Sequence, residues 1–486
     1  MVRALPSNWV EVQLIELLET LENGSRPKGG VQGILDGIPS LGGEHLNSDG
    51  GFKFNKVKFV PFEFAEKMLR GKIQTNDILI VKDGATTGKT SYVDNSFPYR
   101  NAFVNEHVFI CRSLKEINSK CLYYFLWGKT GQERILENFT GSAQGGINQK
   151  FAQNTLIPLP PLAEQNRIVE KLDVLFGHLE QIKIKLDKVP TLLKNFRQAV
   201  LNQAVTGKLT EEWREGRELE NIFTDSSKTT MRKPTFSVPE NWKWLPFDVV
   251  ATIKSNLVDP NKYLEFPLIA PDNIQSETGR LINKPLVSDI MPKSSKHYFN
   301  NGAIVYSKIR PYLSKLIIAD FDGLCSADMY PIESKIDIKY LFFYMLSEIF
   351  LSYATTAGER TVLPKINQKG VNIIPVPVPA LEEQQEIVKR VKSLFAKADK
   401  IEKQYQTLKE KIDTLPQALL AKAFKGELVE QLPIDGDARE LLEQIRQAKA
   451  GLSKSGKTET KRSKSKKLKA DEELDVAAEP KGRYGK

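Results

Sequence analysis

The sequence predicts an α/β (α+β) fold in tandem duplication: two mixed globular units separated by two long helices that form an antiparallel coiled coil. Three observations carry this prediction. A stretch at 157–209 recurs at 376–428, without a gap, at an offset of 219 residues. Within the first copy, Ile168, Leu172, Leu175, Leu179, Ile182, Leu186, Val189, Leu193 and Phe196 repeat in a 4-3-4-3 pattern, which marks a coiled-coil seam. The flanks repeat as well, although less closely. Pro6-Ser7-Asn8-Trp9 returns as Pro239-Glu240-Asn241-Trp242, and Ile147-Asn148-Gln149-Lys150 as Ile366-Asn367-Gln368-Lys369.

Taken in order, residues 1–155 form the first globular unit. A Gly-rich loop runs from Gly24 to Gly43, and short β-branched runs predict strands at Val57–Val60, Ile78–Val81 and His107–Arg112. Residues 156–215 are the first helical spacer. Pro160-Pro161 and Glu164 mark its start, Pro190 kinks or divides it, and Gly207 stops it. The polar stretch 216–237 reads as a linker. Residues 238–375 are the second unit and 376–430 the second spacer, with seam positions Ile387, Val391, Leu394, Ala398, Ile401, Tyr405, Leu408, Ile412 and Leu415. Within 431–486, Leu441, Leu442, Ile445 and Ala448 predict a short amphipathic helix, followed by a disordered basic and then acidic tail.

Composition narrows the class. The chain has 486 residues, 41% hydrophobic and 27% charged, which suits a soluble protein of about three domains. The net charge of +10 is unevenly placed: 453–469 carries +7 and 470–486 carries −2, leaving +5 for the rest. A nucleic-acid face on the body must therefore be a local patch. Cys111, Cys121 and Cys325 have no metal-type spacing and predict reduced thiols, hence a cytoplasmic protein. The start MVRALPSNWV lacks the apolar segment of an export signal. The longest apolar run, Tyr340 to Tyr353, is too short for a membrane span and reads as buried helix.

Lys82-Asp83-Gly84-Ala85-Thr86-Thr87-Gly88-Lys89-Thr90 looks like a phosphate-binding P-loop. It fails the spacing, because Asp83 stands where the first glycine belongs. Its amides, the hydroxyls of Thr86 and Thr87, and the cations Lys82 and Lys89 instead suit contacts to a nucleic-acid backbone. The counterpart in the second half is Ser307-Lys308-Ile309-Arg310-Pro311-Tyr312, again basic. A second loop pair precedes the shared Ile-Asn-Gln-Lys: 140–146, with Gln144, and 357–364, with Arg360 beside Lys365. Gln, Asn and Arg make paired hydrogen bonds to adenine and guanine edges. The candidate DNA contacts are thus Lys82, Thr86, Thr87, Lys89, Gln144, Asn148, Lys150, Lys308, Arg310, Tyr312, Arg360 and Lys365. The chain carries no Asn/Asp-Pro-Pro-Tyr/Phe motif and no Gly-rich strand-to-helix turn for a methyl-donor cofactor, so it reads as non-catalytic.

This pattern resembles the specificity (S) subunit of type I restriction–modification systems, in the subgroup of the K-12-type enzyme. The segments that carry the likeness are Pro158 to Val169, Phe196 to Leu201, Gly207 to Arg214 and Ala421 to Leu428. Gly302 to Tyr312 is similar to a motif common in the family's target recognition domains. The resemblance implies two target recognition domains, each reading half of an asymmetric, bipartite site in double-stranded DNA. It implies that the helices set the unread spacer and dock two modification (methyltransferase) subunits. Those carry S-adenosylmethionine and methylate adenine at N6, while two restriction (motor-nuclease) subunits use ATP and Mg²⁺. No cofactor is expected in this chain. The competing reading is a bivalent coiled-coil scaffold that binds proteins and no DNA.

Overall fold

A computed structural model describes residues 5–141, 145–225, 229–356 and 364–451. It divides into two compact units, Met1–Lys183 with Glu410–Lys486, and Ile184–Lys409. Each unit therefore combines one globular part with the start of its own long helix and the end of the other half's helix.

In the first unit, Leu18–Asn23, Val108–Ser113, Ile78–Val81 and Thr90–Tyr92 form a four-stranded antiparallel sheet in that order. The second unit repeats the order with Ala251–Ile253, Met329–Ser334, Ile304–Ser307 and Leu316–Ile318. The uninterrupted apolar run Ile78-Leu79-Ile80-Val81 is explained by burial on both faces. Ile78 and Ile80 pack into the core that holds the helices, and Leu79 and Val81 into a second core on the opposite face. Ile304 and Val305 divide in the same way. A smaller mixed sheet completes each unit, and Val10–Gln13 and Lys243–Pro246 pair with Leu156–Leu159 and Pro375–Val378, just before the long helices.

The repeated motifs meet at one junction. Trp9 Nε1 donates to the buried Glu164 carboxylate at 2.9 Å, and Trp242 Nε1 donates to Glu383 at 2.9 Å. The following glutamines act as clamps. Gln165 donates to Pro160 O and accepts from Asn118 N–H, while Gln384 donates to Pro379 O and accepts from Asp337 N–H. Asn118 and Asp337 are themselves the N-caps of Ser119–Trp127 and Ile338–Leu346. Each Glu-Gln pair thus ties a long helix to its globular part, through a charge-assisted bond at the glutamate of about 1.5–3 kcal/mol and neutral bonds at the glutamine of about 0.5–1.5 kcal/mol each. Gly207 and Gly426 both sit at positive φ, 78° and 72°, where a Cβ would strike Pro239 and Pro6 respectively. The glycines end the helices against the turn that presents each tryptophan.

The expected seam is only partly realised. Ile168 and Leu172 are buried among Trp9, Leu122, Leu420 and Ala423; Ile387 and Val391 are buried among Trp242, Tyr340, Leu201 and Val205. These positions anchor helices to globular cores as well as to each other. Leu179 and Tyr405 are buried, and Leu175, Leu186 and Leu394 are half-buried. Ile182, Ile401 and Leu408 are 40%, 49% and 44% exposed, so the uniform burial that an unbroken seam demands is not seen. One cause is local: the first spacer divides into Leu162–Leu186 and Val189–Val205, with Pro190 in the first turn of the second piece. Leu381–Ala423 runs on through Pro416. Within the second unit the pieces are antiparallel: Arg197 bridges Asp399 and Glu402 at 2.8 and 2.9 Å, while Arg390 reaches Leu209 O and Glu212.

The stretch expected as a linker is pinned. Arg232 N–H donates to Ile373 O, Thr235 N–H to Tyr353 Oη, and Asn221 Nδ2 to Val378 O. The apolar run 340–353 is helical, divided at Ser347 into Ile338–Leu346 and Glu348–Thr356. Residues 438–451 form the short amphipathic helix, with Leu441 and Ile445 in the first unit's core. The expected tail and the residues 226–228 lie outside the described residues. Among the described residues, no helix is long and apolar enough to cross a membrane.

Just before that helix, Arg167 Nη2 donates to Asp435 at 2.7 Å, and this holds the Asp435 carboxyl below its usual range. Its folded-state pKa is therefore below its unfolded value. The resulting stability is present above about pH 4 and is lost as pH falls through the folded pKa. Acid unfolding of Asp435→Asn should show a shallower loss below pH 4 than the unchanged chain, by circular dichroism; identical acid limbs would remove this pair from the account.

Candidate nucleic-acid interface

The two basic loops leave equivalent strands at equivalent positions. Lys82 N–H donates to His107 O, and Lys82 O accepts from Ile147 N–H at 2.8 Å. Lys308 N–H donates to Asp328 O, and Lys308 O accepts from Ile366 N–H at 2.9 Å. Backbone bridges Asp83↔Gly146 and Ile309↔Lys365 extend each contact. The strand-end loop and the segment before Ile-Asn-Gln-Lys are therefore joined in both units, with Lys82 and Lys308 as counterparts.

In the first unit this joining brings Lys82, Asn148 and Lys150 around one shallow depression of about 420 Å³, together with Asn23, Gln149 and Phe109. Asn23 and Gln149 were not among the candidates; Gln149 lies inside the repeated Ile-Asn-Gln-Lys, whereas Asn23 carries no local signal. Asn148 Oδ1 accepts from Lys150 N–H at 2.9 Å, and its counterpart Asn367 accepts from Gly370 N–H at 2.8 Å. These asparagines shape the start of Phe151–Asn154 and Gln368–Asn372, leaving their amide NH₂ groups for other partners. Thr86, Thr87 and Lys89 form the turn between Ile78–Val81 and Thr90–Tyr92. The Thr87 hydroxyl donates to Gly84 O at 2.7 Å, and Thr86 and Lys89 are half-buried. The chain enters a strand after Lys89, not the helix that a P-loop needs.

Charge is moderated locally. Lys82 Nζ lies 3.7 Å from Asp83, whose other oxygen is 2.6 Å from His107 Nδ1. In the second unit, Lys308 Nζ sits 4.9 Å above the Tyr330 ring, and Lys365 lies 3.6 Å from Asp328. Burial, and then the Lys365 charge, hold the Lys308 ammonium below its usual range. Arg310 is exposed with φ of 47°, its N–H bound to Pro364 O, and Tyr312 beside it is 47% exposed. Lys308 and Lys365 are thus close enough for their charges to interact, and the Arg310 backbone is bonded to Pro364, next to Lys365. Gln144 and Arg360 lie outside the described residues. Among the described residues, no cluster of His, Cys, Asp and Glu could hold a metal ion. The arrangement offers ammonium, guanidinium, amide and phenol groups, which suits contacts to phosphates and base edges.

Comparison with known proteins gives a consistent result. The family model for the type I restriction modification DNA specificity domain matches residues 6–189 and again 246–410. The EcoDI specificity subunit of Escherichia coli is 38% identical over 472 residues, covering 95% of this chain and 99% of that protein. The EcoKI specificity subunit of E. coli strain K12 is 28% identical over 504 residues, covering 95% and 99%. Among solved structures, a chain from a study of assembly and conformational transition of the type I R-M system superposes with a TM-score of 0.64. It is 16% identical and covers 88% of this chain and 100% of its own length. The HsdS subunit from Thermoanaerobacter tengcongensis gives 0.56 at 16% identity, covering 88% and 99%. Two matched specificity domains on a duplicated fold, with a close relative along nearly the whole length, place this chain in the family of type I restriction–modification specificity subunits.

Proposed function

We propose that this chain supplies DNA sequence specificity to a type I restriction–modification complex. Residues 1–155 and 238–375 would be its target recognition domains, each reading one half of an asymmetric bipartite site. The spacers 156–215 and 376–430, paired as an antiparallel coiled coil, set the unread interval and dock two modification subunits. The 216–237 strap and the 431–486 segment complete the chain. The observation that supports this reading best is the matched pair Lys82 and Lys308. Equivalent strands present a lysine at the same backbone position, while the residues around it differ between the units. A shared backbone contact combined with divergent neighbours is what two readers of different sequences need.

The chain itself acts as a non-catalytic subunit. Adenine methylation would be carried out with S-adenosylmethionine on the modification subunits, and cleavage with ATP and Mg²⁺ on two restriction subunits, all in the cytoplasm. Sequencing the methylated motifs of the host with and without this gene tests the proposal. One bipartite adenine-methylated motif should vanish on deletion; an unchanged set of motifs would sink it.

A further inference from the structure

The two units differ sharply at one equivalent place. The loop 47–51 of the first unit corresponds to 275–280 of the second. Asn47 N–H donates to Gly51 O and Gln275 N–H to Arg280 O, each at 2.9 Å, and bridges Leu46↔Phe52 and Ile274↔Leu281 close both loops. Gly50 and Gly279, both at positive φ, lie against the equivalent rings of Tyr123 and Phe342. Gly51 therefore occupies the position of Arg280.

In the second unit this loop is stapled to the helices. Arg280 lies 2.7 Å from Asp399 and 3.6 Å from Glu402; Arg197 bridges the same two carboxylates, and Lys194 bridges Glu277 at 2.7 Å. At the offset of 219, Asp399 corresponds to Glu180, Glu402 to Lys183, Arg197 to Pro416, and Lys194 to Asp413. The first unit thus keeps one of the two helix acids, carries Lys183 in place of the other, and loses the three cations of the staple. What remains is an open cleft of about 780 Å³. Asp49, Asp94, Glu180 and Asp413 line it, and among the described residues none of them makes an ion pair. Lys183 and Lys120 also line it, but Lys120 is held by Asp173 at 2.8 Å. One wall is aromatic: Trp127 stacks parallel to Tyr123 at 5.9 Å and meets Phe176 edge-on at 5.7 Å.

The geometry points to this cleft as a receptor for an arginine side chain from a partner polypeptide, standing in for the internal Arg280 and Arg197 of the second unit. A guanidinium can stack on an aromatic face while its fork engages carboxylates. The surplus of carboxylates disfavours DNA phosphate. Because the second unit is already stapled, one such segment binds per chain, at one of two otherwise equivalent places.

The test uses the full chain without DNA, so its failure and the failure of the DNA-reading proposal are separate events. A fluorescent peptide of alternating arginine and glycine is titrated against the chain, with a citrulline–glycine peptide as its neutral counterpart. One peptide should bind per chain, and the citrulline version about tenfold more weakly or worse, as loss of a charge-assisted bond implies. Glu180→Gln with Asp413→Asn, at exposed positions, should weaken the arginine peptide by about tenfold with an unchanged melting curve. Gly51→Arg, whose Cβ would meet nothing closer than 3.5 Å, should restore the staple and abolish binding. Equal binding of the citrulline peptide, or unchanged affinity in the Glu180/Asp413 variant, would overturn the inference. So would equal displacement by spermidine, which would make the ligand a small polyamine. A tenfold tighter site in a chain ending at Gly451 would assign the cleft to the chain's own 452–486 segment instead.

Discussion

Replacing Glu383 with alanine is expected to destabilise the second unit by about 3–5 kcal/mol, the cost of leaving a buried charge partner unpaired. Glu383 is fully buried, and its two oxygens serve three donors: Trp242 Nε1 at 2.9 Å, Thr210 Oγ1 at 2.7 Å and Arg214 Nε at 2.9 Å. Alanine would strand all three, and the Arg214 side chain is only 17% exposed. For a unit of this size the melting transition should fall by roughly 10 °C. Glu383→Gln keeps an acceptor but loses the charge, and should fall between the two. The check is thermal unfolding of the full chain by circular dichroism. A shift under about 2 °C for the alanine variant would mean that the Trp–Glu lock does not hold the helix to the globular part.

The double change Lys82→Ala and Lys308→Ala should remove one phosphate contact from each reading head. The plot of log binding constant against log salt should become shallower by about two, close to 0.9 for each lost contact. Affinity should fall evenly across related sequences, because a phosphate contact positions without reading bases. The preferred site should therefore stay the same. An unchanged salt slope would exclude both lysines from the interface. A changed site preference would mean that they read bases. Lys308 is the more constrained of the two, with Tyr330 beneath it and Lys365 nearby, so single variants will show whether the units contribute equally.

Legibility followed the physical range of each interaction. Ile78-Leu79-Ile80-Val81 was readable as a strand because burial on both faces forces an apolar run. The start of the long helix at Pro160-Pro161 and its stop at Gly207 were readable because caps are local. The loop residues were harder. Asn148 looked like a base reader by residue type, yet its carbonyl oxygen holds a turn, as does that of Asn367. Asn23 joined the depression only because Leu18–Asn23 runs in the same sheet as the strand leading to Lys82. The seam spacing records which face is apolar, not what covers it: Ile168 and Ile387 lie in clusters that hold residues of the globular parts as well as of the other helix.

The sequence by itself determined the duplication, the order of its parts and the matched helix registers, since a repeat at constant offset and an apolar period both survive without any fold. The tertiary structure decided what the repeats are for. Trp9 meets Glu164 across 155 residues of chain, and Trp242 meets Glu383 across 141. Only the folded backbone makes Gly51 the counterpart of Arg280, leaving one cleft stapled and the other open. Contacts between residues so far apart depend on packing and backbone geometry that no local pattern encodes.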